Sequence, residues 1–243
     1  MKKTQLVVLG AALALLAACA PSQFGRTPGL NTASDQRIAS LKQELSRKPD
    51  SLAALNGLGD VYARRSAWAQ ASGAYQEALI VNATDRLALV GYATSQAALG
   101  NFPSALDHAM RALSARVDAS ALIAAAVALN GQGQHAEAKV YLDQALEINP
   151  RDLDVRNNLA LTLALARDPA AYGIQRSVAY APDSDFRHKR NFFVVAAMVG
   201  RESAARSEGA GLGVASADMN ALFSIGRQAR QSGMRAFGLA TKL

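Results

Sequence analysis

The sequence predicts an all-α protein built of stacked antiparallel helix pairs, and three observations predict it. Between Leu52 and Asp85, residues Leu55, Leu58, Gly59, Tyr62, Ala71, Tyr75 and Ala78 stand at positions 4, 7, 8, 11, 20, 24 and 27 of a 34-residue unit. Small residues at Gly59 and Ala71 let two backbones approach, while Leu58, Tyr62 and Tyr75 wedge between the first helix of a pair (A), the second (B) and the next A. The unit then recurs: Ala71 is followed after 34 and 33 residues by Ala105 and Ala138, and Ala78 in step by Ala112 and Ala145. Glycine or proline falls where the helices must stop, at Gly100, Gly131-Gln132-Gly133 and Pro150. A single pair cannot bury both of its apolar faces, so it has to stack on copies of itself.

That spacing resembles the tetratricopeptide repeat (TPR) signature, which implies a right-handed superhelix closed by a C-terminal capping helix. Ile38, Leu41 and Leu45 with Pro49 read as a helix B without its helix A, an N-terminal cap over 35–51. Repeats follow over 52–85, 86–118, 119–152, 153–186 and 187–215. Helix A of the second runs through Leu87, Leu89, Tyr92 and Ala93, and its helix B opens at Pro103, a good first-turn residue. The fourth and fifth helices A are marked by Arg156-Asn157-Asn158-Leu159-Ala160-Leu161, echoed 34 residues on as Arg190-Asn191-Phe192-Phe193-Val194-Val195. The fourth helix B departs from the pattern, with Tyr172 and Arg176 where a small and a large apolar residue are expected. Ser216 is the expected cap of a last helix through Leu222, Phe223 and Ile225, within a final segment of 216–243 that covers the open face of the last repeat.

The N-terminus reads as a secretory signal over 1–18. Lys2-Lys3 precede an apolar run from Leu6 to Ala18 that is too short to span a bilayer. Leu16-Ala17-Ala18-Cys19 resembles a lipoprotein lipobox, and Cys19, the single cysteine of the 243 residues, is the expected lipidation site. Two or three acyl chains there give stable membrane anchoring. By resemblance, Ala20 after the cysteine favours the periplasmic face of the outer membrane. Residues 19–34, rich in Pro, Gly and polar side chains, read as a lipidated flexible tether with a reach of about 50 Å when extended.

The 26 Lys and Arg against 19 Asp and Glu give +7, and loss of Lys2 and Lys3 leaves +5. No run of five like charges marks a nucleic-acid arm, so no nucleic-acid partner is expected. His108, His135 and His188 fall in different repeats, without a second His or Cys at ligand spacing. HExxH, GxSxG and paired-Cys motifs are missing, and Glu208-Gly209-Ala210-Gly211-Leu212-Gly213 has no GK[ST] and follows no strand. Asp50, Asp85, Asp118 and Asp152 suit helix capping before acid–base work. The chain reads as non-enzymatic, with no catalytic residue, metal or cofactor expected.

Binding is what remains. The resemblance to TPR arrays implies a concave surface lined from helix A positions 2, 5, 9 and 12. The last three are Asn56, Asp60 and Ala63; Val90, Thr94 and Ala97; Ile123, Val127 and Asn130; Asn157, Leu161 and Ala164; and Asn191, Val195 and Met198. Polar at its start and apolar in the middle, such a groove suits an extended or helical peptide. The amides would fix its backbone, while Val90, Ile123, Val127 and Leu161 would take its side chains. These positions carry no Lys or Arg, which disfavours a clamp for a C-terminal carboxylate.

The repeats, the lipobox, the Arg-Asn-x-x helix openings and Phe186-Arg187-His188-Lys189-Arg190-Asn191 together resemble the TadD-type lipoproteins of the bacterial tight-adherence (Tad/Flp) pilus. Phe192-Phe193 depart from that pattern, where aliphatic residues are more usual. The resemblance implies a pilotin-like factor that binds the outer-membrane secretin through its repeats and helps it localise or assemble. A general envelope scaffold recruiting peptidoglycan or outer-membrane assembly enzymes fits the anchor and repeats equally. The sequence leaves open whether copies pair through the C-terminal helix.

Overall fold

The computed structural model describes residues 28–233. Cys19, the signal segment and the end of the tail lie outside the described residues. Within them the chain is all helical: α1 (Pro28–Arg47), α2 (Leu52–Arg64), α3 (Trp68–Val81), α4 (Arg86–Ala98), α5 (Phe102–Ala115), α6 (Ala119–Gly131), α7 (His135–Ile148), α8 (Leu153–Leu165), α9 (Ala170–Ala179), α10 (Phe186–Met198), α11 (Glu202–Glu208), a 3₁₀ turn at Gly209–Leu212, and α12 (Ser216–Ser232). Helices α2 to α11 form five A/B pairs.

Each helix A starts at a side-chain cap. Ser51, Asp85, Asp118, Asp152 and Asp185 accept the N–H of Ala54, Ala88, Ala121, Val155 and His188, satisfying donors that a helix start leaves orphaned. The first cap is therefore Ser51 and not its neighbour Asp50, because the Ser51 hydroxyl can accept from Ala54 while donating to Glu44 of α1 at 2.6 Å. Each A/B turn in turn places the fifteenth residue of its unit in the left-handed region, at Ser66, Gly100, Gly133, Arg167 and Gly200. Glycine reaches that region freely, whereas a Cβ there costs about 1–2 kcal/mol. Ser66→Gly and Arg167→Gly should thus each raise stability by about 1 kcal/mol, read as a higher urea midpoint, and Gly133→Ala should lower it by a similar amount. A neutral Gly133→Ala would show that the turn can relax.

Packing follows the small residues. Ala71, Ala105, Ala138, Ala171 and Ala205, one in each helix B, are fully buried. Ala171 sits one residue before Tyr172, which resolves the mismatch in the fourth repeat. Pro169 opens α9 with short i→i−3 bonds, Ala171 N–H to the Asp168 carbonyl and Tyr172 N–H to the Pro169 carbonyl, where Ala138 makes an ordinary i→i−4 bond. The tighter turn rotates the helix, so Ala171, Gln175 and Val178 face inward and Arg176 faces solvent.

Both ends differ from expectation. Helix α1 begins at Pro28, inside the stretch read as tether, and seats Leu41 against Ala54, Leu58 and Ala74. At the other end Asp185 caps α10 through a capping box with His188, so the fifth helix A starts at Phe186 and its register runs one residue ahead of the reading from Arg190. Positions 5, 9 and 12 there are Arg190, Val194 and Ala197, in place of Asn191, Val195 and Met198. The fifth helix B, α11, spans only seven residues. Helix α12 begins without a side-chain cap, Ser216 being its first helical residue rather than the residue before it. It runs parallel to α10: Phe223 meets Phe193 at 5.8 Å, Gly226 lies on Val194 and Ala197, and Arg230 approaches Gly200. It also reaches α8. No described helix is long and apolar enough to cross a membrane.

Candidate binding groove

Helices α2 and α4, with Ser120 at the start of α6, enclose an open concavity of about 590 Å³. Five of the expected groove positions, Asn56, Asp60, Ala63, Val90 and Thr94, line it. Its floor is an unforeseen feature. Tyr75, from α3, passes between Gly59 of α2 and Gly91 of α4, where a Cβ on either glycine would lie 2.7 or 2.3 Å from the ring. Both glycines are required by that close approach, and the Tyr75 side chain comes through to the concave side. Burial, then the carboxylate of Asp60, push its pKa up to about 12, so the hydroxyl stays protonated. The pair of glycines at Gly59 and Gly91 was the available sequence signal for this threading.

The other expected groove residues divide by chemistry. Val90, Ile123, Val127 and Leu161 are half-buried, each resting its inner side on the core and leaving an apolar outer side. The asparagines are committed within the protein. Asn56 Nδ2 donates to Asp85 Oδ1 at 2.8 Å, Asn130 Nδ2 to Thr162 Oγ1 at 2.7 Å, and Asn191 Nδ2 to Asn157 Oδ1 at 2.9 Å. Every one of these bonds joins a helix A to the start or face of an adjacent helix A. Asn130 and Asn157 are buried, and Gln175 Nε2 also donates to Asn157 Oδ1. The recurrence of Asn at these positions thus reflects repeat-to-repeat bonding, since a buried amide needs partners wherever it sits. Ala97, Ala164, Val195 and Met198 are buried as well.

The histidines have structural partners. His108 Nδ1 lies 2.8 Å from the Ser104 carbonyl and His135 Nδ1 2.9 Å from Asn130 Oδ1. His188 Nε2 lies 3.1 Å from Asp154 Oδ1, a hydrogen bond that holds the Asp154 carboxyl below its usual range with help from Arg187. Among the described residues no three His, Cys, Asp or Glu side chains converge as a metal site.

The paired helices, side-by-side helices A and concave face agree with comparison to known proteins. Residues 119–162 match the family model for the tetratricopeptide repeat. The fold is a TPR array. Solved structures agree along most of the chain. A tetratricopeptide repeat protein from Parabacteroides merdae superposes with a TM-score of 0.64 at 16% identity, covering 82% of this chain and 80% of that one. PilW, a widely conserved type IV pilus biogenesis factor, gives 0.64 at 16% identity, covering 80% and 92%. Pseudomonas aeruginosa PilF gives 0.57 at 17% identity, covering 80% and 91%. No curated protein matches the sequence. In the TPR array the first two repeats hold the open concavity, and α12 closes the far end.

Proposed function

We propose that this protein is a non-enzymatic, lipid-anchored outer-membrane factor that binds the secretin of a Tad/Flp-type pilus and assists its localisation or assembly. The observation that carries the reading is the combination of a lipobox at Cys19 with the Arg156-Asn157 helix opening and its echo at Arg190-Asn191, on a TPR array with a concave face between its helices A. The likeness to PilW and PilF speaks to architecture, and its accord with a pilus role is a supporting coincidence of fold. With α1 starting at Pro28, the eight residues between Cys19 and that helix bridge at most about 30 Å. Anchoring at Cys19 would hold the open end of the groove close to the membrane, where a secretin segment would meet it.

Cys19→Ala should release the protein from the outer membrane and misplace the secretin with it, followed by fractionation and by secretin multimers on gels. Normal multimers at the outer membrane in that strain would sink the pilotin-like role. Affinity capture from lightly crosslinked envelopes separates the general scaffold: recovery of peptidoglycan or outer-membrane assembly enzymes without secretin would favour it.

A further inference from the structure

The concavity between α2 and α4 carries one carboxylate and several uncommitted acceptors. Several of its donors are committed: one Asn56 Nδ2 hydrogen to Asp85, the Thr94 hydroxyl to the Val90 carbonyl at 2.9 Å, and Arg86 Nη1 to Asp118, whose carboxylate balances the Arg86 charge. The Asn56 amide cannot be turned over, because the Asp85 carboxylate only accepts and so must face Nδ2. Asn56 Oδ1 is left without a donor. The Asp60 carboxylate on α2 and the lone pairs of Thr94 Oγ1 on α4 are further acceptors in the lining. Asp60 does pair with Arg64 at 2.8 Å, but both side chains are well exposed on successive turns of one helix. Such pairs contribute only marginally and yield readily to a competing cation. Tyr75, held protonated, can give its proton to a carbonyl and accept from a donor. Beside these groups Leu87, 59% exposed, and Val90 form an apolar shelf.

We infer that this concavity is a subsite for a basic side chain, Lys or Arg, carried by an extended segment of the protein partner, whose adjacent apolar residue lies on Leu87 and Val90. The inference rests on the groove being the partner surface and adds the chemistry it selects. Asp60 meets the cationic head, Thr94 Oγ1 accepts a further N–H, and Tyr75 donates to a backbone carbonyl. An acidic segment would face the Asp60 carboxylate.

The test uses the full-length protein in detergent and three fluorescent, end-blocked peptides with a central Leu-Arg-Leu, Leu-Gln-Leu or Leu-Glu-Leu. Anisotropy titration at low salt should show the Arg peptide binding at least about tenfold more tightly than the Glu peptide, with the preference shrinking as salt rises. Asp60→Asn, at an exposed position that leaves circular dichroism unchanged, should abolish the preference. Equal binding of all three peptides, an undiminished preference in Asp60→Asn, or no binding of the Arg peptide at millimolar concentration would each overturn the subsite. Secretin capture by a protein that ignores the Arg peptide would leave the proposed function standing. Arg-selective binding without secretin capture would do the reverse.

Discussion

Phe193→Ala should cost about 3–5 kcal/mol, the largest loss expected from any single truncation in the chain. Phe193 is fully buried and its ring meets Phe192 at 5.3 Å and Phe223 at 5.8 Å, both edge-on. Gly209 is also pressed on it, with a Cβ there falling 2.5 Å from the ring. The need for bulk has a local cause. A full helix B would fill the space beside α10, but α11 has seven residues, and the cluster of Tyr172, Tyr180, Phe192, Phe193 and Phe223 fills it instead. Removing one ring opens a cavity that no neighbouring helix can collapse to fill. Phe186→Ala, at a half-exposed position on the same helix, should change stability by less than about 1 kcal/mol. Chemical denaturation of the two variants checks the contrast, and comparable losses would show that the cluster is not the keystone of the C-terminal end.

The same cluster shows where the sequence was readable and where it was not. The A/B alternation was legible because its determinants are local: a cap, a small residue at a close approach, a glycine at a left-handed turn. Asp85, Asp118 and Asp152 serve as the caps their positions imply. The register slips at α9 and α10 were hidden because each depends on one hydrogen-bond pattern, the i→i−3 opening after Pro169 and the capping box at Asp185, which the 34-residue offset does not report. The half-buried apolar groove residues are visible in the helical period. The asparagines' bonds across repeats were not legible, since an amide facing a neighbouring repeat and one facing a peptide occupy the same helical position. Tyr75 was correctly a wedge, yet its exit between Gly59 and Gly91 needs two repeats in place before it can be seen.

Gly226→Ala should detach α12, with a loss of about 3 kcal/mol confined to the last repeat. A Cβ at 226 would lie 2.3 Å from the Val194 carbonyl oxygen and 2.6 Å from Ala197 Cβ. Neither is the free end of a side chain: one is backbone and the other a stub on the same helix, so α12 has to retreat as a whole. Retreat would break the ion pair of Arg227 with Glu202 and the bond from Arg206 to Asn220, both of which tie α12 to α11. Because each repeat contacts chiefly its neighbours, the damage should stay local. Amide exchange should accelerate in α10 to α12 while α2 to α5 keep their protection. The same substitution at Gly73, mid-helix in α3 with nothing near its missing Cβ, should stabilise by up to about 1 kcal/mol through helix propensity. Opposite signs from one chemical change would separate packing from propensity. Faster exchange throughout the chain in Gly226→Ala would instead mean that α12 stabilises the array globally, so that the groove at α2 and α4 depends on the helix that closes its far end.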